Sequence, residues 1–216
     1  MMKDSAKRAF DIAGSGLVLV VLAPLLAALA LWIKLDSPGR VLFRQRRVGR
    51  GQQEFRILKF RSMVERDPDR IDQHSEQAII EGNDPRITRS GRVLRKTSLD
   101  ELPQLWNILV GDMSVVGPRP VLPEQVEVVP PDCMARFDVR PGLTGLAQVR
   151  GRRSLSWLQQ VQADAEYARN HGFFYDLWLI LRTFHVVATG HGIYGGEGQN
   201  WRAYRDDMRE RNGGQK

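Results

Sequence analysis

The longest apolar run in the chain is Ile12 to Ile33, IAGSGLVLVVLAPLLAALALWI, which contains no charge and is flanked by Lys7, Arg8 and Asp11 before and by Lys34 and Asp36 after. A helix of about 20 apolar residues is long enough to cross a bilayer core, so the pattern predicts a membrane segment over residues 1–36. Pro24 falls at its midpoint, where it removes a backbone donor and crowds the preceding turn, and a kink or break is expected there. Basic residues crowd both ends, with Lys3, Lys7 and Arg8 before the run and Lys34, Arg40, Arg44, Arg46 and Arg47 after it. Basic flanks favour the cytoplasmic side. A spanning helix would put one cluster outside, whereas a re-entrant helix bent at Pro24 keeps both inside, provided the freed backbone groups near residue 20 find partners. Spanning and re-entrant topologies both stay open on this pattern. A cleaved signal peptide is a third option, although the run exceeds the usual apolar region of about 7–15 residues.

Beyond the run, Ser37-Pro38-Gly39 is a turn signal, and strand-like stretches over Val41–Arg47 and Glu54–Phe60 flank Gly49-Arg50-Gly51, predicting a β-hairpin. Between Arg40 and Arg61 there are eight Lys or Arg and one acid, Glu54, so this ribbon is basic and suits lipid or substrate phosphate beside a membrane segment. Residues 65–90 are polar and carry Pro68, Gly82, Asn83 and Pro85, predicting a loop with at most a short helix. Leu102, Leu105, Trp106, Leu109 and Val110 recur at three- and four-residue spacing up to Gly111, predicting a helix with a glycine stop. Ser98 and Glu101 match a capping box, the structural reading of that acid. Pro103 favours a start nearer Leu99 or Asp100, which leaves Asp100 and Glu101 in the first turn, where the helix dipole favours ionised carboxylates. Phe173 to Val187, with Trp178, is an amphipathic stretch.

Composition sets the outer limits. A chain of 216 residues with 42% hydrophobic residues buries one core plus a short appendage. The formal charge of +7 favours phosphate-rich partners: nucleotides, nucleic acid or anionic lipid head groups. A lone cysteine, Cys133, excludes an internal disulfide and a cysteine-based zinc site, and His74, His171, His185 and His191 lie too far apart to spell a metal motif. Gly14-Ser15-Gly16 lacks the third glycine of a dinucleotide fingerprint, and there is no lysine-bearing phosphate loop. In so basic a chain, adjacent Asp100 and Glu101 suggest a place where a metal ion and an anionic substrate meet. Gly117-Pro118-Arg119-Pro120 holds a guanidinium on a stiff mount suited to phosphate. Arg140-Pro141-Gly142 and the following LTGLAQVRGR, ending at Arg152, combine glycine amides with arginines and suit anions as well. A non-catalytic, basic, membrane-tethered protein that binds nucleic acid or anionic lipid is the alternative; it explains the charge and the apolar run but not the paired acids.

Taken in order, the N-terminal membrane segment, KFRSM, SLDELPQLWNIL with GDMS, GPRP and RPGLTGLAQVRGR resemble the bacterial sugar transferases, the monotopic phosphoglycosyl transferases, in their minimal catalytic form. The resemblance runs from Lys7 to about Gly198. It implies transfer of a phosphosugar from a UDP-sugar to polyprenol (undecaprenyl) phosphate, with release of UMP, at the cytoplasmic face of the bacterial inner membrane. It implies that Asp100 is the nucleophile that forms a phosphosugar-aspartyl intermediate, that Glu101 is the carboxylate linked to Mg2+, and that Lys59, Arg95, Arg119 and Gln148 contact substrate. Asp112 and Asp176 also fall on recurring family positions, and Lys7 and Arg8 would sit at head groups. The family's re-entrant helix commonly breaks at a Ser-Pro pair; here the pair is Ala23-Pro24. The expected fold is α+β and mainly helical, with a re-entrant membrane helix over 1–36, a catalytic domain over 37–200 containing a small antiparallel hairpin and interfacial helices, and a polar tail over 201–216. The expected partners are UDP-sugar, polyprenol phosphate and membrane lipid, without nucleic acid. Oligomeric state, a homodimer included, the sugar and the pathway stay open.

Overall fold

The apolar run folds as the middle of one long helix, α1 (Met2–Asp36), in a computed structural model that describes residues 2–76, 84–189 and 199–213. The expected break at Pro24 does not interrupt this helix, which is continuous from end to end. A proline deletes one intrahelical bond, and the flanking turns on both sides are held by packing, which is the main source of helix stability in proteins. Leu19 packs against Ile57, Leu105, Ile108 and Met113. Further along, Leu29 and Ile33 pack against Phe60 and Leu94. Leu17, Val20, Val21 and Leu35 face outward and are exposed.

Charged residues at both ends of α1 are bonded inward. The Arg8 guanidinium donates to the carbonyls of Ile108 (2.6 Å) and Leu109 (2.9 Å). Lys7 Nζ donates to the Val116 carbonyl at 3.1 Å and pairs with Asp176, and the Val115 amide donates to Asp11 Oδ1 at 3.0 Å. Lys7 and Arg8, expected at head groups, are thus spent on the protein itself. At the other end, Arg61, buried and part of KFRSM, donates to the carbonyls of Ile33, Ser37 and Pro38 and so closes the helix C-terminus. Asp36 accepts from the Ser90 amide and hydroxyl.

The hairpin forms one residue from its expected boundaries: β1 (Leu42–Val48) and β2 (Glu54–Phe60) run antiparallel, with Leu42 opposite Phe60 and Val48 opposite Glu54. After α2 (Arg89–Thr97), Ser98 turns left-handed (φ 59°) and a single 3-10 turn, Leu99–Glu101, leads into α3 (Gln104–Val110). The two acids therefore precede the central helix instead of occupying its first turn, and the Ser98 side chain makes no capping bond. The cause is Pro103, which is tolerated only at a helix start, so α3 begins immediately after it. Buried Asn107 binds α3 to the free edge of β2: its Oδ1 accepts from the Leu58 amide and its Nδ2 donates to the Arg56 carbonyl, both at 2.9 Å.

A parallel pair not anticipated from sequence, β3 (Ser114–Val116) with β4 (Gly142–Thr144), brings the two proline-glycine motifs together. Gly117 and Gly142 approach so closely that a Cβ on either would collide with backbone. The remaining helices are α4 (Pro123–Val126), α5 (Leu146–Arg150), α6 (Trp157–Asn170), α7 (Phe173–Thr189) and α8 (Trp201–Gly213). One core gathers Val48, Val121, Phe137, Trp157, Val161 and Trp201; a second gathers Val116, Leu146, Ala163, Tyr167 and Leu179. The stretch expected as a polar tail from residue 201 thus begins as a helix whose first residue is buried. In α7, Asp176, Leu179 and Val186 face inward while Phe173, Phe174, Leu181 and Phe184 are exposed, as the amphipathic pattern predicts.

Asn107→Leu strips partners from two strand-edge groups that leucine cannot serve. The expected loss is about 2 kcal/mol or more of stability, read by denaturant unfolding in detergent. A loss under about 0.5 kcal/mol would show that the edge of β2 does not depend on this side chain.

Candidate active site

The 3-10 turn carries Asp100 and Glu101 into a cavity of about 1440 Å³ whose walls also include Lys59, Arg95, Arg119, Gln148 and Arg152. Each arrives from a different element. Lys59 is the penultimate residue of β2, Arg95 lies in the last turn of α2, and Gln148 sits on α5. Arg119 stands between Pro118 and Pro120 in the loop after β3. The six residues expected to form the site are therefore together, whereas Lys7, Arg8 and Pro24 lie on α1, outside the walls.

Glu101 is the hub. Lys59 Nζ donates to its Oε1 at 2.8 Å, and Arg119 Nη2 donates to the same oxygen at 3.0 Å. Burial works against ionisation of Glu101, but the charges of Lys59 and Arg119 outweigh it and hold the carboxyl well below the usual carboxylate range. Asp100 goes the other way. Its burial, helped by the negative charge of Glu101, raises its carboxyl above the ordinary aspartate value despite the opposing pull of Lys59, Arg95 and Arg119. Lys59 is depressed, chiefly by burial and then by Arg119, with Glu101 opposing. No ion pair ties down the Asp100 carboxylate among the described residues.

Two walls hold polar atoms without partners. Both amide atoms of buried Gln148 and Nε of Arg95 are unpaired among the described residues. Buried polar groups are ordinarily bonded, so these atoms are candidates for contact with a ligand. Arg152, the basic end of the glycine-punctuated motif, joins the ring and was not among the residues expected to touch substrate. It adopts a left-handed backbone (φ 55°) that non-glycine residues seldom take, a strain that concentrates at functional sites. Its guanidinium reaches Ser98 Oγ at 3.3 Å. The sequence signal for it was the RGR triplet; the strained backbone had none. Asp112 accepts from Asn107 Nδ2 at 3.1 Å, and Asp176 accepts from Tyr167 and Lys7, so both brace the scaffold.

Among the described residues no three His, Cys, Asp or Glu side chains cluster as an all-protein metal cage. Two adjacent carboxylates, with both cationic contacts of Glu101 falling on one oxygen, fit a hard cation that completes its shell with phosphate oxygens and water, as Mg2+ commonly does. Chemically the arrangement offers a carboxylate without an ion-pair partner inside a cationic cavity, suited to meeting a phosphorus atom in an anionic substrate.

Comparison with known proteins gives the same direction. The glucose-1-phosphate transferase of Caulobacter vibrioides, UDP-glucose:undecaprenyl-phosphate glucose-1-phosphate transferase, is 43% identical over 199 residues, covering 88% of this chain and 73% of its own. The exopolysaccharide production protein ExoY of Rhizobium meliloti is 38% identical over 200 residues, covering 88% of both chains. An Escherichia coli UDP-glucose:undecaprenyl-phosphate glucose-1-phosphate transferase is 41% identical over 185 residues, 82% of this chain but 39% of that longer one. The family model for bacterial sugar transferases matches residues 2–190, a stretch that holds both α1 and every wall residue named above, and the chain belongs to the bacterial sugar transferase family.

Proposed function

We propose that this enzyme moves a phosphosugar from a UDP-sugar to undecaprenyl phosphate or a related polyprenol phosphate, with Asp100 as nucleophile. The observation that carries the reading is the Asp100–Glu101 turn inside the ring of Lys59, Arg95, Arg119 and Arg152. The binding-only alternative leaves that turn without a role. In the first displacement an Asp100 carboxylate oxygen bonds to the sugar-bearing phosphorus, the phosphoanhydride bond breaks, and UMP leaves with the bonding pair. In the second, a phosphate oxygen of the polyprenol bonds to the same phosphorus, the bond to Asp100 breaks, and the carboxylate is regenerated. Covalent capture divides one transfer between two anions into two easier steps.

Arg119 and Lys59 hold the diphosphate, and Arg119 can do so bidentately. Gln148 offers its unpaired amide to the donor. Glu101, with Asp100 beside it, would hold Mg2+, which when bound offsets the repulsion between the nucleophile and the diphosphate. Two cationic contacts on Glu101 and none on Asp100 among the described residues separate their roles: Asp100 is the reactant, Glu101 a fixed anion.

We also propose a re-entrant topology, with residues 1–36 as the membrane segment and the catalytic body from residue 37 on the cytoplasmic face of the inner membrane. Its support is that both ends of α1 dock on one body, through Arg8 and Lys7 at one end and Arg61 and Asp36 at the other, which a helix crossing to the far side could not do. The exposed apolar faces of α1 and α7 meet where Phe10 and Phe173 stack edge to face at 6.1 Å, and together they supply a surface for acyl chains. Such a placement keeps the lipid acceptor beside the cavity.

Detergent-purified enzyme supplied with Mg2+ and a short-chain polyprenol phosphate should release UMP from a matching UDP-sugar, and chelation should stop it. Asp100→Asn should lose turnover by more than about 10³-fold while donor binding stays within a few-fold of wild type. Without acceptor, intact-mass analysis should find one phosphosugar on the wild-type chain and none on Asp100→Asn. Full turnover by Asp100→Asn would end the nucleophile assignment.

Topology is read separately. Ser5→Cys and Arg40→Cys, labelled with an impermeant maleimide, should react from the same side of oriented vesicles, with buried Cys133 as the silent internal control. Labelling from opposite sides would establish a spanning helix.

A further inference from the structure

The best-buried ion pair among the described residues lies in the wall of the site. Arg136, in the 3-10 segment Pro131–Phe137, meets Asp164 of α6 at 2.7 Å, and each side chain is only 2% exposed. Such a pair is costly, because the desolvation of both ions must be recovered from one contact, and an apolar pair of similar volume is often as stable. This one is also incompletely bonded: Nε and Nη1 of Arg136 and Oδ1 of Asp164 have no partner among the described residues. Stability is therefore a poor account of why it is there.

The geometry gives a better one. The same Arg136 nitrogen that meets Asp164 also donates to the main-chain carbonyl of Arg119 at 2.7 Å. The Arg119 main chain is thus held at its carbonyl by a guanidinium that Asp164 in turn fixes, while Pro118 and Pro120 fix φ on either side. Both side chains are almost wholly enclosed, and they border the cavity beside Arg119.

We propose that Arg136 and Asp164 are positioning residues that set the Arg119 guanidinium for the donor diphosphate. They act through the main chain of Arg119 and, through its bond to Glu101, on the acidic turn. This rests on the phosphate-binding role of Arg119 proposed above. A flexible loop would have to order its arginine at each turnover; the clamp has done so in advance, and a displacement of about 1 Å at such a group can cost about 10²-fold in rate.

The test is a kinetic cycle with the paired apolar replacement Arg136→Met/Asp164→Leu, Arg119→Ala, and all three substitutions together, read as kcat and KM for the UDP-sugar with the thermal midpoint alongside. The clamp predicts that the Met/Leu enzyme keeps a midpoint near or above wild type yet loses about 10- to 100-fold in kcat/KM, mainly through KM. It predicts that the triple variant is no worse than Arg119→Ala alone, since nothing is left to position. Arg136→Lys enters the same cycle in case the apolar pair does not fold. It keeps a buried cation for Asp164 but, being shorter, draws the donor away from the position where Nη2 serves both Asp164 and the Arg119 carbonyl, and it should show the same coupling to Arg119→Ala. Losses that multiply, or wild-type kinetics in a folded Met/Leu enzyme, would overturn the clamp while leaving the Asp100 mechanism standing. Wild-type donor KM in Arg119→Ala would instead remove the phosphate role of Arg119, and the clamp with it.

Discussion

One carboxylate holds the site together. Glu101 accepts from Lys59, 42 residues earlier in the chain, and from Arg119, 18 residues later, on a single oxygen. The hairpin, the acidic turn and the proline-bounded loop converge there, and without the shared anion two partly enclosed cations would lose the one carboxylate oxygen both bond to. The electrostatics follow from that arrangement. An anion that has already collected two cations allows a cationic cavity to exist before substrate arrives, and it does so beside Asp100, whose own carboxyl is pushed the opposite way. Adjacent acids of nearly the same chemistry acquire different properties because one is compensated and the other is only enclosed.

The long apolar helix α1 is part of this same structure. Its N-terminal arginine, Arg8, satisfies carbonyls at the end of α3, the helix that follows the acidic turn, and its C-terminal carbonyls are satisfied by Arg61, two residues after Lys59. Both of these helix ends are closed by a guanidinium from a distant segment. A shift of α1 would therefore act on both flanks of the site, on α3 through Arg8 and on β2 through Arg61.

Much of this was legible in the chain, and the limits have physical causes. The apolar run, the hairpin and the amphipathic α7 are local periodicities, and each appears within a residue or two of its expected place. The acids at 100 and 101 stood out because their surroundings are basic. Periodicity could not show that Lys7 and Arg8 bind carbonyls a hundred residues or more away, so basic flanks read as head-group contacts. The three-residue strands β3 and β4 are too short to leave a pattern, and their pairing is what sets GPRP beside RPG. A capping box at Ser98 and Glu101 was a reasonable local reading that tertiary context overrode. The Pro103 ring moved the helix start, and Glu101 found stronger partners than a backbone amide.

The order of constraint runs from the interior outward. Arg136 and Asp164 are fixed by burial, and they fix the Arg119 backbone. Arg119, with Lys59, fixes the Glu101 carboxylate, and the single 3-10 turn passes that position to Asp100 next to it. Each link in this series is a bond already made in the protein without substrate. Catalytic power in such a site comes from charges already arranged for the anion that will form, and that arrangement has a cost to the fold. The unpaired atoms of a buried ion pair and the left-handed turn at Arg152 are where the fold carries that cost.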